Sequence, residues 1–180
     1  MHPELAAALS RLDAARTTLR AAMEAVPSSL RQQKPGADRW SANEVLEHVQ
    51  KAEGVFLKSL LVAIDAARTS GLPAEVDQPE LLPDQTKAFL LDRTNRRSAP
   101  ETVQPTGTVD AAASFAHIEA GHLRLRDVLT SCEGLAVSTV THEHRFFGKL
   151  NVYQWVDLIA GHEGRHTAQL REIARQVSPA

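Results

Sequence analysis

Cysteine is nearly missing from this chain: Cys132 is the one thiol in 180 residues. A single thiol forbids an intramolecular disulfide and a four-thiolate zinc or iron–sulfur centre, and it suits a reducing compartment. Charge of one sign is also lacking. Lys and Arg number 20 against 22 Asp and Glu, for a net charge of -2. No basic excess draws the chain to nucleic acid or to an acidic membrane surface. Long apolar runs are absent too, and none approaches the ~20 residues of a membrane span. The opening MHPELAAALSRLDAARTTLR is interrupted by Glu4, Arg11, Asp13 and Arg16, unlike a signal peptide. The expectation is a cytoplasmic protein without nucleic-acid or membrane partners. Neither GxGxxG nor GxxxxGK[ST] occurs, and no repeat of solenoid period is evident.

What is present is ordinary globular material, 43% hydrophobic and 23% charged. Its length favours one domain over residues 1–180, large enough to bury a core. Four segments carry helical periodicity. Leu5, Leu9, Leu12, Ala15, Leu19 and Met23 recur at steps of three or four, which predicts a helix from Pro3 to Val26. Ser41 and Glu44 have capping-box spacing, with Trp40 placed as a hydrophobic staple. They open a second helix to Arg68, striped by Val45, Val49, Ala52, Phe56, Leu60 and Ile64. A third helix is predicted over Thr108–Ser131 with Thr108 as N-cap. A fourth runs from Asn151 to Arg175, where Asn151 and Gln154 form another capping-box-like pair.

Five prolines interrupt residues 71–107, a connection long enough to be functional or flexible. Asp84–Arg96 is a candidate short helix there. The cluster Arg93, Arg96 and Arg97 could bind an anion, although a solvated loop is the simpler expectation. Residues 133–150 read as an extended loop. The fold expected is all-α, a four-helix bundle with a long Pro-rich crossover loop.

Chemistry concentrates in the fourth helix. His162 and His166 are four apart and share one helical face. They fall on the stripe Val152, Trp155, Ile159, His162, His166, Leu170, so both should point into the bundle. Buried imidazoles are costly unless hydrogen-bonded or ligated, and a divalent metal ion supplies that compensation. His48, at the core-facing edge of the second helix, is a candidate third ligand. Three protein ligands leave an open position, the pattern of catalytic rather than structural sites. HEGRH also matches H-E-x-x-H, which makes Glu163 a candidate general base. Yet Glu163 lies about 100° round the helix from His162, which favours a surface or supporting role. His117 and His122 are expected on the surface, and His142 and His144 in a solvent-exposed loop. Cys132, without an activating neighbour, is expected to be inert.

Three stretches resemble the DinB/YfiT superfamily. Trp40-Ser41-Ala42-Asn43-Glu44-Val45-Leu46-Glu47-His48 is similar to the start of its second helix. Ala99-Pro100-Glu101-Thr102-Val103-Gln104-Pro105-Thr106-Gly107 is similar to its Pro-rich loop. Phe147-Gly148-Lys149-Leu150-Asn151-Val152-Tyr153-Gln154-Trp155, running on to His162, Arg165, His166 and Gln169, is similar to its last-helix signature. The resemblance implies an up-up-down-down type of four-helix bundle holding a divalent ion on His48, His162 and His166. Zinc and nickel are the metals it implies, and a homodimer is the assembly of many members. Characterised relatives include bacillithiol and mycothiol S-transferases and a mycothiol-dependent maleylpyruvate isomerase. The resemblance therefore implies a small-molecule substrate and a low-molecular-weight thiol as cosubstrate. Metal-dependent hydrolysis and non-catalytic binding of a small molecule or metal are the competing expectations.

Overall fold

In the computed structural model, residues 2–75, 78–94 and 98–177 are described. Helix α1 spans Pro3–Glu24, with proline in its first turn, where no amide hydrogen is needed. Helix α2 spans Ala42–Thr69. Both halves of its capping box form: Ser41 N donates to Glu44 Oε2 at 2.8 Å, and Glu44 N donates to Ser41 Oγ at 3.2 Å. Helix α3 is short, Asp84–Leu91. Helix α4 runs Ala111–Ser131, and its cap is Asp110 rather than Thr108. The Asp110 carboxylate reaches the amides of Ala112 and Ala113, which a residue two positions earlier cannot do. Helix α5 covers Val152–Val177, opened by the reciprocal pair of Asn151 and Gln154, both bonds at 2.9 Å.

The segment expected to be an extended loop holds a hairpin instead. Strand β1, Thr141–His144, pairs antiparallel with β2, Gly148–Asn151, with His144 opposite Gly148. Three residues make the turn, and Gly148 takes the positive φ of 71° that closes it. This is the usual device for a three-residue hairpin loop. The hairpin is a small addition to a helical bundle.

Cross-helix partners fix the directions. Arg11 meets Asp157 and Arg16 meets Glu163, so α1 and α5 run parallel. Asn43 bonds to Ala111 and Arg68 to Ser131, so α2 and α4 are parallel too. Arg16 meets Glu53, with Leu5 and Leu9 clustering with Leu60 and Ile64, and Leu19 and Met23 with Ala42 and Val45; α1 and α2 are therefore antiparallel. The order is up-down-down-up, which corrects the up-up-down-down expectation. The single long crossover, from α2 to α4, is what allows these two helices to run the same way.

The core divides into two apolar clusters along the bundle axis. One gathers Leu5, Leu9, Leu12, Leu60, Ile64, Trp155 and Ile159; the other gathers Leu19, Met23, Val45, Val49, Phe115, Leu170 and Ile173. Between them α1, α2 and α5 each contribute polar residues: Arg16, Glu53 and Glu163 toward one side, and His48, His162 and His166 toward another. Desolvated apolar surface above and below holds this polar layer in place, at about 25 cal/mol per Å² buried.

Candidate metal centre and its cavity

The three histidines of the helical stripes converge. One ligand atom each from His48, His162 and His166 lies within 4.8 Å of the others, a grouping that could hold a metal ion. The rings of His48 and His166 are 5.0 Å apart, those of His48 and His162 5.4 Å, and those of His162 and His166 4.5 Å. His48 is brought in by the antiparallel packing of α2 on α5, and Trp40 covers it at 4.9 Å between ring centroids.

Neighbouring groups fix two of the tautomers. His48 Nδ1 lies 2.8 Å from the Val103 carbonyl oxygen, which can only accept. His166 Nδ1 lies 3.0 Å from Gln169 Oε1, again an acceptor. Both rings therefore carry hydrogen on Nδ1 and a lone pair on Nε2. Such outer hydrogen bonds orient metal-ligating imidazoles. Nδ1 of His162 is buried with no hydrogen-bond partner. Nε2 of His162, however, lies 3.2 Å from Nε2 of His166, and two ring nitrogens this close, one of them offering only a lone pair, suit a shared divalent ion, so the residues fit one.

Electrostatics agree with this. Burial lowers the pKa of all three imidazoles, most plainly His162, which is pushed down to about 3 by burial and by its neighbours His48, Arg165 and His144. His166 is held well below its ordinary value by burial and then by His162 and His48. For His48 burial outweighs the carbonyl bond that would favour its cation. The trio is neutral at pH 7, the form in which imidazole binds metal.

These rings open onto a cavity of about 370 Å³, within the range of small-molecule sites. Its walls are largely apolar and include Phe56, Phe89, Leu90, Phe147, Trp155 and Leu158. The hairpin supplies one wall, tied down where Trp155 Nε1 donates to the His142 carbonyl oxygen at 3.2 Å. Helix α3 supplies another. It approaches α5 so closely that a Cβ on Gly161 or Gly164 would sit 2.9 Å from the side chains of Leu90 or Leu91.

Three expectations are corrected here. His144 is not solvent-exposed but buried, 9% accessible, and it lines the cavity, as does the half-buried His142. His122 is also buried rather than on the surface, bonded through Nε2 to Asp13 at 2.8 Å; His117 is exposed as expected. Glu163 is not a surface residue. Its accessibility is 0%, and its carboxylate receives Arg16 Nε at 3.0 Å on the side of α5 facing α1. It is not among the residues lining the cavity. Of the candidate anion cluster one member is described. Arg93 pairs with Glu172 at 3.0 Å, whereas Arg96 and Arg97 lie outside the described residues. Cys132 is buried.

Sequence reasoning missed His144, Val103 and the positioning role of Gln169. The alternation of His142 and His144 ahead of Phe-Phe-Gly was the available signal, since period-two spacing before a turn glycine marks a hairpin.

A helical bundle with three converging histidines at the base of an apolar cavity defines the class of protein. The comparisons place it further: residues 11–170 match the DinB superfamily, and the chain belongs to that family. It is similar to the uncharacterized protein YuaE of Bacillus subtilis (strain 168), 29% identical over 158 residues, which cover 82% of this chain and 85% of the relative. No solved structure matches it significantly. Among the described residues, no helix is long and apolar enough to cross a membrane.

Proposed function

We propose that this chain is a metal-dependent transferase in which His48, His162 and His166 hold zinc or nickel and a low-molecular-weight thiol is joined to an electrophilic small molecule. The observation that carries this reading is the trio of neutral imidazoles, two of them oriented by outer hydrogen bonds, opening onto an apolar cavity. A divalent ion there lowers the pKa of a thiol or water that occupies its open position. The chain's own contribution is to orient the lone pairs of His48 and His166 through Val103 and Gln169 and to exclude bulk water with Phe56, Trp155 and Leu158. The exposed rings of Phe89 and Phe146 suit entry of an apolar electrophile. In the reaction the thiol loses its proton, its sulfur bonds to the electrophilic carbon, and a halide departs or an epoxide C–O bond opens and takes up a proton.

Hydrolysis is the second reading. Assistance by Glu163 has no support from its position, because that carboxylate faces Arg16. The remaining carboxylate on the cavity wall is Glu143, an exposed strand residue. A cation held there would ionise a thiol or a water alike, so the choice rests on the largely apolar cavity walls, which suit an apolar electrophile. Such chemistry fits a single domain acting in a reducing cytoplasm, and a homodimer is testable by light scattering.

The test is conjugation of a chlorinated or epoxide substrate by zinc- or nickel-loaded protein with bacillithiol, mycothiol and glutathione. Turnover with one of these thiols, lost in His162→Ala, is expected. Ester hydrolysis without thiol turnover would move the assignment to a hydrolase.

A further inference from the structure

The hairpin places a fourth histidine in the cavity wall, outside the trio. Nδ1 of His144 accepts from two backbone amides of the turn, Phe146 N at 3.2 Å and Phe147 N at 3.3 Å. Two inward-pointing N–H groups leave no room for a hydrogen on Nδ1. The ring is therefore neutral with its hydrogen on Nε2. Ring packing holds the plane: Phe147 stacks at 4.9 Å with 24° between the planes, and Trp155 at 5.3 Å and Phe56 at 5.7 Å meet it at steeper angles. Nε2 has no hydrogen-bond partner among the described residues, yet it is not one of the buried orphan atoms, so it meets the cavity rather than the packed core.

A polar N–H held rigidly among aromatic rings is poorly used unless something in the cavity accepts from it. We propose that His144 is a substrate-binding residue, its Nε2–H donating to an acceptor oxygen of an otherwise apolar electrophile, such as a ketone, enone or epoxide. The oxygen binds at His144 and the apolar body fills the space beside Phe56, Phe89 and Trp155. When the electrophile is attacked, negative charge grows on that oxygen, and a donor already in place stabilises it without reorganising. No proton need leave the ring. The catalytic part of this role rests on the transferase reading, whereas the binding preference stands on the cavity alone.

The test uses the whole chain labelled with nitrogen-15, both metal-free and zinc-loaded, with acetophenone and ethylbenzene as probes of like shape. Long-range proton–nitrogen spectra at pH 7 should show His144 protonated at Nε2 and bare at Nδ1. Acetophenone should shift the Nε2 resonance and ethylbenzene should not. In His144→Phe the ratio of acetophenone to ethylbenzene affinity should fall about tenfold, the worth of one hydrogen bond near 1.4 kcal/mol. An Nδ1–H or doubly protonated ring overturns the proposal in the unaltered protein, whatever the variant does to folding. So does an Nε2 signal unmoved by saturating acetophenone, or failure of acetophenone to bind. Loss of zinc binding with the ketone preference intact would instead overturn the transferase reading and leave this one standing.

Discussion

Nε2 of His166 faces Nε2 of His162 at 3.2 Å across one turn of α5. Because Nδ1–H of His166 is committed to Gln169, its Nε2 offers only a lone pair. The two nitrogens stay close by sharing a proton from His162 or a cation that both can ligate.

Zinc affinity should therefore be nearly constant from pH 8 down to pH 6.5. Burial lowers the pKa of all three rings below the ordinary 6.5, so protons compete only at more acidic pH. Three unperturbed imidazoles, each half-protonated at pH 6.5, would lose roughly eightfold in affinity. Competition titration with a chromophoric chelator measures this, and an eightfold loss would show that the trio titrates normally. Near one equivalent of zinc per chain is expected, with little retained by His162→Ala. At a hundredfold excess over Kd, zinc should stabilise the wild type by about 2.7 kcal/mol and leave the variant unmoved.

Gln169→Leu removes the acceptor that orients His166 without touching the cavity wall formed by the hairpin. Metal affinity should fall about 10–100-fold, the usual cost of losing such a supporting bond. Circular dichroism should stay that of the wild type, since Gln169 lies at the edge of the buried stripe. An unchanged affinity would show that the packing of α5 suffices to hold the ring.

The stripes of α2 and α5 made the histidine trio legible, because 3.6-residue periodicity places His48, His162 and His166 among apolar neighbours. His144 was hidden because its place depends on a turn three residues long and on Trp155, which anchors β1 from another element. Helical geometry turned Glu163 away from His162 correctly. It could not say what lay on that side, because Arg16, the residue that makes burial tolerable there, is 147 positions away in sequence. The direction of α4 was equally unreadable, since a long loop permits either a return or a crossover.

Glu47 supplies a pH-dependent tie between α2 and the crossover loop. Burial pushes its pKa up. The bonds from Lys51, from the Thr106 hydroxyl and amide and from the Gly107 amide outweigh burial and bring it to about 2. A depressed carboxylate stabilises the fold above its unfolded value of 4.5 and loses that contribution as pH falls from 4.5 toward 2. Glu47→Gln should cost about 2 kcal/mol at pH 7, the scale of hydrogen bonds to a charge. Urea unfolding of both proteins should show that difference shrinking below pH 4.5. A difference independent of pH would mean that shape, not charge, holds the loop.

Arg16, Glu53 and Glu163 form a buried group of one cation and two carboxyls. Arg16 donates to Glu163 at 3.0 Å and to Glu53 at 3.1 Å. Burial, and then the neighbouring Glu163, raises Glu53 well above the ordinary carboxyl range. Glu53 is thus the carboxyl that keeps its proton, and Glu163 is the counter-ion of Arg16. Glu53→Gln, which keeps a neutral side chain of the same shape, should be nearly silent. Arg16→Met leaves Glu163 without its cation and should cost about 3–5 kcal/mol. Glu163→Gln should lower stability while zinc stoichiometry and thiol turnover per folded molecule persist, because this carboxylate does not reach the cavity. Melting curves and metal content on the same samples separate the two effects. If Glu163→Gln abolished turnover while keeping the melting temperature, Glu163 would belong to the chemistry rather than to the bundle.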